Sequence, residues 1–224
     1  MLTVACVWVR ANVPYTAEYV KRLAAMVRRN LSEPHRIVCL TDQPESMPSW
    51  VEPIEIAHLS ALPGWWAKLQ LFDPAIGLSG RVLYLDLDTL IVGALDPIAD
   101  WDSPFALLPD GGSTFQPRTQ HRVVKRFNSS VMVFDAPAST NDPLSMLWTL
   151  WEPKRSAELW GDQDWIAEVL PHAEVLPAAW FPRLSSIGAS GQIPPEARVV
   201  LAKKPKPVEA AEQWPWFEAI WRAA

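Results

Sequence analysis

The sequence predicts an α/β protein built on a mixed, mainly parallel β-sheet flanked by helices. Three observations lead there. Short apolar, β-branched runs alternate with a helical pattern near the N-terminus, and no hairpin turn separates the first two runs. A strongly apolar run near mid-chain ends in paired aspartates. Hydrophobic residues make up 49% of the chain, enough for a sizeable core.

The elements follow in order. Leu2 to Val9 is a Val-rich run bounded by Arg10, Ala11 and Asn12, and reads as a buried strand. From Thr16 to Asn30, Tyr19, Val20, Leu23, Met26 and Val27 recur three and four apart, which predicts an amphipathic helix with Thr16 at its N-cap. Arg36 to Leu40 is a second strand, followed by Thr41 and Asp42. Val51 to Ile56 is a third strand, placed at the sheet edge because Pro53 lacks an N–H. Trp65 to Phe72 reads as a short helix, Arg81 to Leu87 as the clearest strand, and Phe127 to Phe134 as another. Pro143 to Trp151 and Gln163 to Leu170 are helical, and beyond Pro171 the periodicity fades. The polar 109–120 stretch reads as a loop. No repeat or linker divides the chain, so a single domain over residues 1–224 is expected.

Composition removes several classes of function. A net charge of −5 disfavours general nucleic-acid binding, which depends on neutralising phosphates. An anionic small molecule would need a local positive device, and a metal ion is one. Cys6 and Cys39 sit inside apolar runs and read as buried side chains, not a disulfide framework. Their low number fits a reducing cytoplasm, the expected location. No run reaches the length of a membrane span, and the apolar N-terminus lacks the basic start of a signal peptide. Thirteen tryptophans suggest sugar stacking, but core or surface packing is the better account of most of them.

Asp86 and Asp88 carry the expected chemistry. Two residues apart on an extended strand, they would share a face with Cα atoms roughly 6–7 Å apart. Two converging carboxylates repel one another, and a cation between them relieves that repulsion. Hard oxygen ligands favour Mn2+ or Mg2+. The alternative is that the triplet merely leaves the sheet and caps the next turn.

VLYLDLDTLIVGALDPI resembles the Asp-x-Asp strand of the glycogenin-like (family 8) nucleotide-sugar glycosyltransferases, which have the Rossmann-like GT-A fold. WWAKLQLF is similar to that family's Lys-Leu helix, RFNSSVMVFDAP to its Asn-strand, GDQDWIAEVL to its Gly-Asp-Gln element, and AKKPKP to its C-terminal Lys-Pro element. The matches are short, fall in the family's order and cover most of the chain. The resemblance implies a retaining transfer of sugar from a nucleotide-sugar donor, UDP being the expected nucleotide. The acceptor would be a glycan, a lipid-linked sugar or a protein. Asp86 and Asp88 would bind Mn2+ or Mg2+ and, through it, the donor diphosphate. Lys68 would contact the donor, Lys206 the diphosphate, and Asn128, Asp162 and Gln163 would surround the transferred sugar. Val9, Arg10 and Asn12 would hold base and ribose, with Leu87 between the two aspartates. One departure stands out: where the family places a metal-binding histidine, this chain has Ala202. A catalytically inactive donor-binding protein of the same fold is therefore the alternative. A nucleotidyltransferase ranks lower because the first strand is followed by no Gly-rich loop. An all-β carbohydrate module lacks the hairpin spacing it would need.

Overall fold

The computed structural model describes residues 1–10, 15–56, 64–110, 127–159 and 161–223. β1 (Leu2–Trp8), α1 (Ala17–Asn30) and β2 (His35–Thr41) form the expected crossover unit, the strands pairing in parallel from Leu2 opposite His35 to Trp8 opposite Thr41. Thr16 occupies the N-cap of α1 in extended backbone, but its side chain makes no cap bond. β3 (Glu52–Glu55) extends the parallel sheet as an edge strand, where Pro53 breaks no ladder to a further neighbour.

The short helix expected over Trp65 to Phe72 is a 3₁₀ helix over Gly64–Phe72. Its residues from Trp66 to Phe72 are all buried, so no polar face marks a period in the sequence. In a 3₁₀ helix residues three apart eclipse, which aligns Trp65 with Lys68 on one edge. β4 (Arg81–Leu85) pairs in parallel with β1 and ends two residues earlier than the sequence suggests. Leu83 and Leu85 face the core under α1, while Val82 and Tyr84 face the core around the 3₁₀ helix. Burial on both faces explains why β4 reads as one continuous apolar run.

Then come β5 (Thr89–Ile91), α2 (Asp96–Ala99), β6 (Phe105–Pro109) and β7 (Phe127–Asp135). A short 3₁₀ turn and α3 (Met146–Thr149) occupy the expected Pro143–Trp151 helix, and α4 (Asp162–Val169) the next one. The faded C-terminal stretch holds β8 (Glu174–Val175), α5 (Leu184–Ile187), β9 (Val199–Leu201), α6 (Pro207–Gln213) and α7 (Pro215–Arg222). These elements are too short to show a period, and prolines start two of the helices at their first position.

Seven strands form the main sheet in the order β3-β2-β1-β4-β7-β6-β8. Only the pairings of β7, with β4 and with β6, are antiparallel, as the expected mixed, mainly parallel sheet requires. β5 and β9 form a separate antiparallel ribbon with Thr89 opposite Leu201. Helices α1 and α7 cover one face through Val20, Leu23, Val27, Phe217 and Trp221. On the other face, the 3₁₀ helix, α3 and α4 pack Trp66, Phe72, Leu147 and Ile166. Ladder and crossover place the carboxyl ends of β1, β2 and β4 together, where open α/β sheets bind ligands.

The C-terminal helices are held at Gly191, whose φ of +65° is left-handed and whose added Cβ would sit 2.9 Å from the Trp216 ring. Gly191→Ala is expected to lower unfolding free energy by about 1–3 kcal/mol, read by urea denaturation. A change below about 0.5 kcal/mol would show that this contact yields freely.

Candidate active site

The two aspartates lie in a turn rather than along a strand. β4 ends at Leu85, β5 begins at Thr89, and Asp86, Leu87 and Asp88 connect them. Alternation along a strand therefore does not set their side chains. The turn is tied at three backbone points. Asp86 N–H donates to Ser130 O (2.8 Å), Thr89 Oγ1 donates to Asp86 O (2.8 Å), and Ala202 N–H donates to Asp88 O (3.0 Å). The β5–β9 ribbon thus brings Ala202 beside Asp88.

Each carboxylate carries the same two kinds of partner. Asp86 Oδ1 accepts from Tyr84 Oη (2.6 Å) and pairs with Lys68 Nζ (3.0 Å). Asp88 Oδ2 accepts from Tyr15 Oη (2.9 Å) and from Lys206 Nζ (2.6 Å). Lys206 Nζ also donates to Tyr15 Oη and lies over the Tyr15 ring, as Lys68 lies over Tyr84. The backbone of Lys206 is fixed in turn by Glu209, which accepts its N–H at 3.0 Å. Among the described residues, no hydrogen bond reaches Asp86 Oδ2 or Asp88 Oδ1. One oxygen of each aspartate is anchored and the other is open.

Behind Asp86 lies a buried network. Lys68 (5% exposed) also pairs with Asp162 (3% exposed) at 3.3 Å and donates to Ser129 Oγ at 3.0 Å. Ser129 Oγ donates to the same Asp162 oxygen. Burial alone would push the Lys68 ammonium down, but the charges of Asp162 and Asp86 outweigh it and hold its pKa above the ordinary lysine value. Burial raises the Asp162 carboxyl, and Lys68 and Ser129 only partly offset this. Both tyrosines are pushed up, first by burial and then by the neighbouring aspartate, so they stay protonated donors.

Asp162 is the first residue of α4 and Gly161 takes the N-cap, so the carboxyl serves the network instead of capping the helix. Ser129 arrives through a bulge. Between the Leu107–Met132 and Leu108–Asn128 pairs, β7 advances four residues while β6 advances one. Asn128 itself accepts from Ser130 N–H (2.8 Å) and does not line the cavity.

That cavity has a volume of about 530 Å³ and opens over the carboxyl ends of β1 and β4. Of the residues singled out in the sequence, it brings together Val9, Lys68, Asp86, Leu87, Asp88, Asp162, Gln163 and Lys206. Arg10 lies at its margin, its N–H donating to Asp42 (3.0 Å), and its side chain is not part of the lining. Asn12 and residues 111–120 of the expected loop lie outside the described residues. Tyr15, Trp65, Tyr84 and Ser129 join the site without having been read from the sequence. Only Tyr84 had a local signal, two positions before Asp86 on the same strand.

Among the described residues, five carboxylates (Asp86, Asp88, Asp110, Asp162, Asp164) and three ammonium groups (Lys68, Lys203, Lys206) line the cavity. The surplus in this described lining opposes a diphosphate unless positive charge is added to it. Among the described residues, no three His, Cys, Asp or Glu side chains cluster to hold an ion by themselves. Ala202, 1% exposed beside Asp88, contributes only a methyl group. The donor set fits a hard cation of the Mg2+ type, which keeps its waters and binds through one or two carboxylates plus substrate phosphates. The two open oxygens, Asp86 Oδ2 and Asp88 Oδ1, would hold it. No helix among the described residues is long and apolar enough to cross a membrane.

No family model and no curated protein matches the chain. Solved structures do. The galactosyltransferase LgtC, in complex with donor and acceptor sugar analogs, is similar with TM-score 0.67 and 14% identity over 99% of this chain and 95% of that one. The glycosyltransferase GlyE of Streptococcus pneumoniae gives TM-score 0.62 and 16% identity, and the bifunctional glycosyltransferase WbbM gives 0.62 and 14%. Nearly all of this chain is covered in both, but only 62% of the GlyE chain and 51% of the WbbM chain. At these identities the likeness establishes the fold, the α/β GT-A arrangement of these glycosyltransferases.

Proposed function

We propose that this protein transfers a sugar from a nucleotide-sugar to an acceptor, with a divalent cation held by Asp86 and Asp88. The observation that carries this reading is the half-anchored aspartate pair. Tyrosine and lysine fix one oxygen of each carboxylate, and among the described residues nothing bonds the other two, in a cavity whose described lining has surplus negative charge. A cation there would neutralise the charge that develops on a departing nucleoside diphosphate. UDP as the nucleotide, retention of configuration and membership of the glycogenin-like family rest on the sequence resemblance.

The chain's own groups divide the remaining work. Lys206, held on Asp88 at the cavity wall, is only partly buried and supplies an ammonium for the diphosphate. Lys68 is locked between Asp86 and Asp162, so it orients Asp86 and favours the ionised form of Asp162 against its burial. Asp162 is 3% exposed and held through one oxygen by Lys68 and Ser129, which makes it a poor candidate to attack the sugar carbon. Gln163 is half-buried, lines the cavity and makes no hydrogen bond among the described residues, so its amide is the better partner for the transferred sugar.

Ala202 supports a second reading, a donor-binding protein without turnover. One experiment separates the two: a panel of nucleotide-sugars incubated with the protein, with and without Mn2+, and followed for release of nucleoside diphosphate. Mn2+-dependent consumption of one donor is the expected result. Tight binding with no consumption would favour the silent protein, and neither binding nor consumption would reject both.

A further inference from the structure

We infer that Trp65 is the platform of an acceptor subsite and that the group it receives is a pyranose sugar. The inference rests on the reading of this cavity as a sugar-transfer site and goes on to name the acceptor class.

Trp65 is 46% exposed, although the next seven residues of its helix are buried. Its neighbour Trp66 is 1% exposed and stacks on Trp151 at 4.2 Å, so it does the packing. Trp65 instead lines the cavity. Its indole edge rests on Gly161 at the start of α4, where an added Cβ would stand 3.4 Å from both Cδ1 and Nε1. The missing side chain lets the ring lie close against the helix end. One 3₁₀ turn further, Lys68 joins Asp86 to Asp162, so the exposed ring stands next to the proposed reaction centre.

Two polar residues complete the wall. Gln163 and Asp164 follow Gly161 in the first turn of α4 and line the same cavity. A flat apolar face beside an amide and a carboxylate matches the two chemistries of a pyranose: C–H groups on a ring face, hydroxyls at the rim. Aliphatic or peptide hydroxyls would use the polar groups and leave the ring bare.

Trp65 rests on the start of α4, which packs on β7, while its own 3₁₀ helix also touches β1.

The test is saturation-transfer NMR and titration with methyl β-D-galactopyranoside and methyl α-D-glucopyranoside, against a tyrosine-containing peptide as a non-sugar hydroxyl. Parent, Trp65→Phe and Trp65→Ala proteins are compared, with and without UDP and Mn2+, and thermal unfolding midpoints report that the variants fold. At least one pyranoside should bind the parent, receive saturation mainly on one ring face, and weaken about tenfold or more in Trp65→Ala with partial rescue in Trp65→Phe. Equal pyranoside binding in parent and Trp65→Ala would overturn the inference. So would a parent that binds no pyranoside, or only the peptide. Loss of the donor reading shows separately, as a parent that fails to bind UDP with Mn2+.

Discussion

Replacing Asp88 by alanine is expected to abolish cation-dependent binding of UDP while leaving the protein folded. The substitution removes Oδ1, to which nothing bonds among the described residues, and no cluster of three His, Cys, Asp or Glu side chains stands among them to compensate. Loss of a partner outside the coordination shell already weakens metal sites by roughly 10–100-fold, so loss of a direct ligand from so small a set should exceed about 100-fold. The change also releases Tyr15 and Lys206, both held by Asp88 Oδ2. Lys206 is freed at the same time, so weak, cation-independent UDP binding should persist or rise slightly. Titration of UDP into both proteins, with Mn2+ and with EDTA, reads the two effects apart. If Mn2+ improves UDP affinity equally in parent and Asp88→Ala, the aspartate pair is not the ion site. Asp88 is the better target than Asp86 because its partners lie at the cavity rim, whereas Asp86 belongs to the buried Lys68 network.

Much of this architecture is legible in the residues because it depends on periods of two and 3.6. α1 shows its buried stripe, and β1, β2 and β4 show apolar runs because their faces are covered. Pro53 correctly marks an edge. The site is legible where chemistry is local in sequence, as in the Asp86–Asp88 triplet. It is hidden where geometry departs from a period. Strand alternation does not apply to Asp86 and Asp88, since β4 ends at Leu85 and the two aspartates lie in the turn that follows. The β7 bulge brings in Ser129, whereas the sequence points to Asn128 beside it. Tyr15 lies 73 residues from Asp88 and meets it only in the folded chain. No local pattern carries such a contact. The two-to-eight-residue elements after Pro171 are equally silent, yet β9 and α6 are what deliver Ala202 and Lys206 to the acidic turn.

The largest effect on stability is expected from Lys68→Met. Methionine fits the volume and keeps the stem's packing, so the change isolates the ammonium. Without it, Asp162 remains 3% exposed with a charge opposed only by Ser129, and Asp86 loses its cation. Breaking one side of a buried ion pair costs about 3–5 kcal/mol, a large share of the roughly 5–15 kcal/mol that holds a domain folded. For a chain of this size, that corresponds to a fall in Tm of roughly 6–20 °C by calorimetry. The double variant Lys68→Met, Asp162→Asn removes the stranded charge and should recover more than half of the loss. A Lys68→Met protein within about 1 kcal/mol of the parent would mean that water screens the pair, as at an exposed salt bridge. The lysine would then be free to leave Asp86, and its role as a fixed strut behind the aspartate pair would fall with it.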